Sequence, residues 1–160
     1  MGQTIATNKK AYRDFFITDH WECGIALKGG EVKSVRAGRV NFKDAFARVE
    51  RGQVLLYNLH IDPYERAGYE TQEPDRVRNL LLHKKEVKKM DNSATLKNLV
   101  LIPTKIYFND RGIAKIELAL GKGKKSYDKR ETIKKRKIDR DISRALRHYI
   151  PKRSRFTKSK

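Results

Sequence analysis
The sequence predicts a mainly β fold: a small closed or partly open barrel of about six strands with short helices, followed by a basic C-terminal tail. Three observations predict it. Apolar and polar residues alternate with period two at Trp21, Cys23, Ile25, Leu27 and again at Ile116, Leu118, Leu120. Glycine-bearing turns at Gly29-Gly30, Ala37-Gly38, Arg51-Gly52 and Asn109-Asp110-Arg111-Gly112 punctuate the apolar runs. The charge is lopsided: of a net +19 over 160 residues, positions 121–160 carry 17 basic and 4 acidic residues. The last quarter of the chain therefore differs from the rest, and its excess charge favours an anionic partner, a nucleic acid or an acidic membrane surface.

In chain order, residues 1–7 are small and polar and are expected to be disordered. Asn8 is an N-cap for a short helical turn from Lys9 to Asp14, and Phe15, Phe16 and Ile17 read as buried. Trp21 to Lys28 is the first clear strand, and Glu31 to Arg36 reads as a second after the Gly29-Gly30 turn. Phe42–Glu50 and Gln53–Leu59 flank Arg51-Gly52 as a hairpin. Positions 61–74 are loop-like. Lys84 to Met90 reads as an exposed helix and 91–98 as a loop. Leu99 to Phe108 is β-prone, but Pro103 cannot donate to a ladder, so this strand lies at an edge or carries a bulge there. Closing such strands into a barrel removes exposed edges.

Gly121-Lys122-Gly123-Lys124-Lys125-Ser126-Tyr127-Asp128-Lys129-Arg130-Glu131 reads as a flexible basic loop suited to a polyanion, or as a solvated basic hinge, with 128–130 leading into the helix. It is not a P-loop, because Lys124 stands where glycine must precede the Lys-Ser pair. Residues 131–148 follow as a helix. At 100° per residue, Ile138, Ile142, Leu146 and Tyr149 form an apolar ridge, and Arg136, Arg140, Arg144 and Arg147 form another roughly 200° away. So thin an apolar ridge predicts a helix that is marginal alone and firm on a polyanion. The domain reading is thus 1–7 disordered, 8–127 barrel and 128–160 tail.

The chemistry reads as binding. The four histidines lack metal-ligand spacing, no nucleophile or metalloprotease motif occurs, and carboxylates do not cluster as a metal-dependent nuclease requires. No catalytic residue, metal site or cofactor is expected. Cys23, the single cysteine, sits on an apolar strand face as a core residue and suits a reducing compartment. Glu22 and Glu31 are either solvated charges or, on an RNA face, selective acceptors for base amino groups. No apolar run reaches the ~20 residues of a membrane span, and the N-terminus lacks the order of a signal peptide. A cytoplasmic protein is expected.

Four motifs in register, Asn8-Lys9-Lys10-Ala11, Gly30-Glu31-Val32-Lys33-Ser34-Val35-Arg36-Ala37-Gly38, Asn79-Leu80-Leu81-Leu82-His83-Lys84 and Lys122-Gly123-Lys124-Lys125-x-x-Asp128-Lys129-Arg130, resemble SmpB, the SsrA-binding (tmRNA-binding) family of bacterial trans-translation. The resemblance covers about Asn8 to Leu146. It implies an OB-fold-like barrel that binds the tRNA-like domain of tmRNA and enters stalled ribosomes with it. It also implies a basic tail that becomes helical in the empty mRNA channel, and no catalysis. Carried over by position, RNA contacts fall on Asn8, Glu22, Leu81, Lys115 and Gly123. With the basic loop, Lys122, Lys124, Lys125 and the ring of Tyr127 join them. The tagging motif falls on Asp128, Lys129 and Arg130, with Arg136, Ile138, Arg140, Ile142, Arg144, Leu146 and Arg147 behind it. The implied partners are tmRNA and ribosomal RNA of the decoding centre and mRNA channel, with the protein a monomer when bound and no small-molecule substrate. The competing classes are a ribosomal protein or RNA chaperone on a similar core, and an RNA-processing enzyme.

Overall fold
A computed structural model describes residues 3–64, 73–96 and 98–149; in the last helix it describes no side chain for Ser126, Tyr127, Lys129, Thr132, Lys135, Arg136 or 144–149. The elements are β1 (Gln3–Thr7), α1 (Lys9–Asp14), β2 (Phe15–Ile25), α2 (Gly29–Arg36), β3 (Val40–Asn41), β4 (Phe46–Glu50), β5 (Gln53–Tyr57), β6 (His60–Ile61), β7 (Arg78–Leu81), α3 (Lys84–Leu96), β8 (Val100–Phe108), β9 (Ala114–Gly123) and α4 (Ser126–Tyr149).

Six strands close on themselves. The order β8-β4-β5-β7-β2-β9 returns to β8, because β8 pairs with β9 along its length and with β4 where Ala47 lies opposite Leu101. This is the expected barrel. β1 extends it by pairing with the second half of β8, and β3 pairs with β6 apart from the ring. The predicted alternation holds: Cys23, Ile116, Leu118 and Leu120 are wholly buried and face Val54, Leu56 and Ile106 across the interior. Burial pushes the Cys23 thiol up to about 12, which suits a core residue and not a nucleophile. The hairpin at Arg51-Gly52 holds both central residues at positive φ, 49° and 77°, as a two-residue turn with the right twist demands. β4 starts at Phe46 and not Phe42, since Asp44 takes a left-handed φ of 60° just before it.

Several expectations are corrected. Residues 3–7, expected to be disordered, form β1 by adding antiparallel hydrogen bonds to the part of β8 that β4 leaves unpaired. Glu31–Arg36 is helical, not a strand. Gly29-Gly30 opens the helix instead of turning between strands, and the buried positions Glu31, Ser34 and Val35 have i, i+3, i+4 spacing. The helix is nucleated at its start by Glu31, whose carboxylate accepts the Lys28 amide at 2.7 Å. α3 continues to Leu96 through the stretch read as a loop, because Val87, Met90 and Ala94 repeat with helical spacing against the core. β2 begins at Phe15, six residues before the expected strand, and Phe16 is 52% exposed and not buried. Pro103 marks a bulge, with the β8–β9 register shifting between Pro103 and Lys105, and β8 is not an edge.

The chain divides into two units, Met1–Lys124 and Lys125–Lys160, three residues earlier than the sequence placed the boundary. α4 starts at Ser126, not at 131, so Asp128, Lys129 and Arg130 fall in its opening turns and not in a hinge. No glycine or proline interrupts 126–149, and Asp128 complements the positive end of the helix. Among the described residues no helix is long and apolar enough to cross a membrane.

Candidate nucleic-acid interface
The register of four neighbouring strands lines up Leu81, Gly24, Lys115 and Tyr107 in one row across β7, β2, β9 and β8. Residues in register share a face, and this row faces out, opposite to Cys23 and Ile116. Leu81 is 61% exposed. It can lie flat beside the row because a Cβ at Gly24 would stand only 3.2 Å from the Leu81 Cβ. Two residues along β2, Glu22 presents its carboxylate on the same face. It accepts a hydrogen bond from the Tyr107 hydroxyl and an ion pair from Lys115 at 3.3 Å. The Tyr107 hydroxyl above all, helped by Lys115, holds the Glu22 carboxyl below its ordinary range, so it is an anion at neutral pH. Burial, then the Glu22 charge, push the Tyr107 phenol up, so it remains a donor.

A second cluster adjoins the first. Glu117, opposite Glu22 in register, receives Lys105 at 2.8 Å and the Thr104 hydroxyl at 2.8 Å, with His20 Nδ1 at 3.4 Å. Burial opposes its charge, but Lys105 and Thr104 outweigh it and hold the Glu117 carboxyl low. The face is therefore a lattice of paired opposite charges beside an exposed leucine, not a uniform basic patch. Such a surface offers acceptors to base edges as well as cations to phosphates.

Of the contact positions implied by family resemblance or by the basic loop, the structure brings Glu22, Leu81 and Lys115 together. It sets Lys122, Gly123 and Lys124 apart: eight residues of extended β9 separate Gly123 from Lys115, about 26 Å. Lys122 and Gly123 are not in a loop. They end β9 opposite Phe16 and Phe15, and only Lys124 and Lys125 link the strand to α4. The Lys124 amide donates to the Asp14 carbonyl at 2.8 Å, and its ammonium stands 4.7 Å from the Phe16 ring centroid. Lys122, Gly123 and Lys125 are exposed.

Asn8 has another position. It caps α1 through its side-chain oxygen (Ala11 amide, 3.1 Å), and its side-chain nitrogen donates to the Pro103 carbonyl at 2.9 Å. Its own amide donates to Thr104 at 2.7 Å. Asn8 is 9% exposed and stitches α1 to the β8 bulge. Glu31, weighed as a solvated or RNA-facing charge, is neither. It is 2% exposed and bound to Arg76 and Arg78, a role that the neighbouring arginines of 76–78 signal only once α2 is known to be a helix. Tyr107, Lys105 and Phe16 were missed. Tyr107 and Lys105 alternate outward in a strand whose phase the Pro103 bulge obscures, and Phe16 is hidden in the apolar run Phe-Phe-Ile.

In α4, Arg130, Ile138, Arg140 and Ile142 are exposed, with Ile138 at 57% and Ile142 at 53%. Asp128 is half-buried. The side chains of Tyr127, Lys129, Arg136, Arg144, Leu146 and Arg147 lie outside the described residues.

Comparison with known proteins matches residues 5–148 to the family described as SmpB protein. An SsrA-binding protein of Desulforamulus reducens is 51% identical over 145 residues, covering 91% of this chain and 90% of its own. One of Carboxydothermus hydrogenoformans is 52% identical over 147 residues, covering 92% and 98%. Among solved structures, a chain from "tmRNA-SmpB: a journey to the center of the bacterial ribosome" superposes with a TM-score of 0.66 at 47% identity, over 80% of this chain and 93% of that one.

Proposed function
The chain belongs to the SmpB family, and from that premise we propose that it is a tmRNA-binding adaptor of trans-translation, acting on the ribosome. The observation that carries this reading is the extent of the match, which runs through both the barrel and α4. The barrel binds the tRNA-like domain of tmRNA. The tail engages ribosomal RNA at the decoding centre and in the empty mRNA channel. The protein works in the cytoplasm as a binding protein, with no catalytic step of its own. Purifying it from its host and sequencing the RNA that travels with it tests the reading. One dominant tmRNA species supports the adaptor; stoichiometric ribosomal RNA alone, or turnover of added RNA, overturns it in favour of a ribosomal protein or an enzyme.

Within this function, Leu81, Glu22 and Lys115 form the RNA face of the barrel, and Asn8 serves it by holding α1 on the β8 bulge. Lys115 is shared between Glu22 and a phosphate. Lys115→Ala is expected to weaken tmRNA binding and to flatten the slope of log affinity against log salt by about 1. Glu22→Ala is expected to weaken binding by roughly 1–3 kcal/mol without flattening that slope, because a carboxylate that accepts from a base releases no phosphate counterion. Filter-binding titrations across a salt series measure both. Tighter binding by Glu22→Ala would mean that Glu22 only competes with RNA for Lys115.

A further inference from the structure
The β2–β9 ribbon outruns the barrel. The last residue of β9 with a partner in β8 is Gly121, opposite Val100, whereas Lys122 and Gly123 pair only with Phe16 and Phe15 of β2. Among the described residues, no third strand covers the ribbon past that point. Phe16 and Lys122 are a cross-strand pair on one face of this projection, so their side chains stand side by side. The Phe16 ring is 52% exposed, and the Lys124 ammonium sits over it at 4.7 Å from the centroid while reaching the Tyr12 carbonyl at 3.4 Å. An apolar ring so exposed, placed between two lysines, gains little for the fold. It has the composition of a stacking platform: a π-face for a base and cations for the phosphates on either side. Lys124 orients the ring, and the open half of its surface is left for a ligand.

We infer that Phe16, flanked by Lys122 and Lys124, stacks on an unpaired base of the bound RNA. This makes the projecting ribbon a second RNA contact, distinct from the row of Leu81, Glu22 and Lys115. The occupant is single-stranded or looped RNA, because a base inside a duplex has no free π-face to offer. The inference rests on the tmRNA-binding reading and adds to it a contact of a different kind, in which the stacking of Phe16 is insensitive to salt while its flanking lysines are not.

The experiment is a tmRNA titration of the full chain at several salt concentrations with Phe16→Leu, Phe16→Ala and Phe16→Trp, each checked for an unchanged melting temperature. Leucine keeps the apolar bulk and removes the ring; tryptophan keeps a ring. The leucine and alanine variants are expected to lose roughly 5- to 150-fold in affinity with the salt slope unchanged, and the tryptophan variant to stay within about threefold of wild type. Wild-type affinity in Phe16→Leu overturns the platform, since apolar cover alone would then suffice. Loss in all three variants alike overturns it too. A wild-type chain that does not bind tmRNA at all overturns the adaptor reading, an outcome distinct from either.

Discussion

Arg78→Met is expected to cost the barrel ~3–5 kcal/mol, a fall in melting temperature of roughly 10–20 °C. Arg78 is wholly buried in β7 and yet charged. Its guanidinium donates to the Glu31 carboxylate at 2.9 Å, and to the carbonyls of Leu59 at 2.5 Å, Arg76 at 3.0 Å and Pro74 at 2.8 Å. Burial works against that charge and lowers the Arg78 pKa; the adjacent Glu31 carboxylate resists it. One side chain thus ties α2, β7 and the segments around Leu59 and Pro74 into the core. Methionine fills similar volume but strands three carbonyls and removes half the neutralisation of a carboxylate that is 3% exposed. Arg76 stays paired with Glu31 at 2.5 Å, which limits the loss. Calorimetry or urea unfolding reads the effect. A change below about 1 kcal/mol would show that the pair sets specificity and not stability.

The same pair gives the barrel an acid limit. Burial alone would raise the Glu31 carboxyl, but the Arg76 hydrogen bonds, the Lys28 amide and Arg78 outweigh it and hold it below its ordinary value. A carboxyl whose folded pKa is depressed contributes stability that is complete above its unfolded value, roughly 4.3, and is lost as the pH falls through the lower folded value. Glu31→Gln is accordingly expected to be less stable at neutral pH, yet to lose less on acidification. Glu22 and Glu117, also held low, keep part of the acid slope in the variant.

How far the sequence reveals all this depends on which force decides each element. Where burial on one face sets the structure, the pattern is legible: five of the six ring strands, the phase of Ile116, Leu118 and Leu120, the Asn8 cap and the Pro103 bulge all follow from periodicity and backbone chemistry, whereas β7 is not assigned as a strand. Where a polar residue is buried, the pattern misleads. Glu31 looks like a surface charge on a strand, and only long-range geometry reveals a helix leaning on a buried ion pair with Arg78. β1 and the second half of α3 escape notice because their local composition is polar and their order comes from β8 and the core. Among the contact positions, Glu22 and Lys115 are legible as outward residues, but their mutual pairing, and the presence of Tyr107, need the register of three strands.

Truncation after Lys125 is expected to leave the barrel folded and binding tmRNA, and to abolish tagging on a stalled ribosome. The core runs from Ala11 to Leu120, and the chain divides at Lys124, so the cut removes none of the residues that bury the barrel. What it removes is α4 and just over half of the excess charge, since 126–160 carry 14 basic against 4 acidic residues, +10 of the net +19. On the apolar ridge of α4, Ile138 and Ile142 are each about half exposed, apolar surface that the helix leaves to water. An exposed, strongly cationic helix of this kind gains most where phosphates quench its self-repulsion and a surface covers its isoleucines. Arg130 and Arg140, both exposed, suit that setting because a guanidinium engages phosphate with two donors. The apolar ridge is expected to fix the helix rotation, giving binding a defined register instead of indiscriminate attraction. Alanine at Asp128, Lys129 and Arg130 together is expected to act like the truncation, because these residues lie in the opening turns of α4. A tmRNA titration paired with an in vitro tagging assay on a message without a stop codon separates the two units. Tagging at the wild-type rate by the truncated chain would reduce α4 to a solvated appendage, whereas loss of tmRNA affinity by more than about tenfold would place RNA recognition in the tail and undo the division of labour.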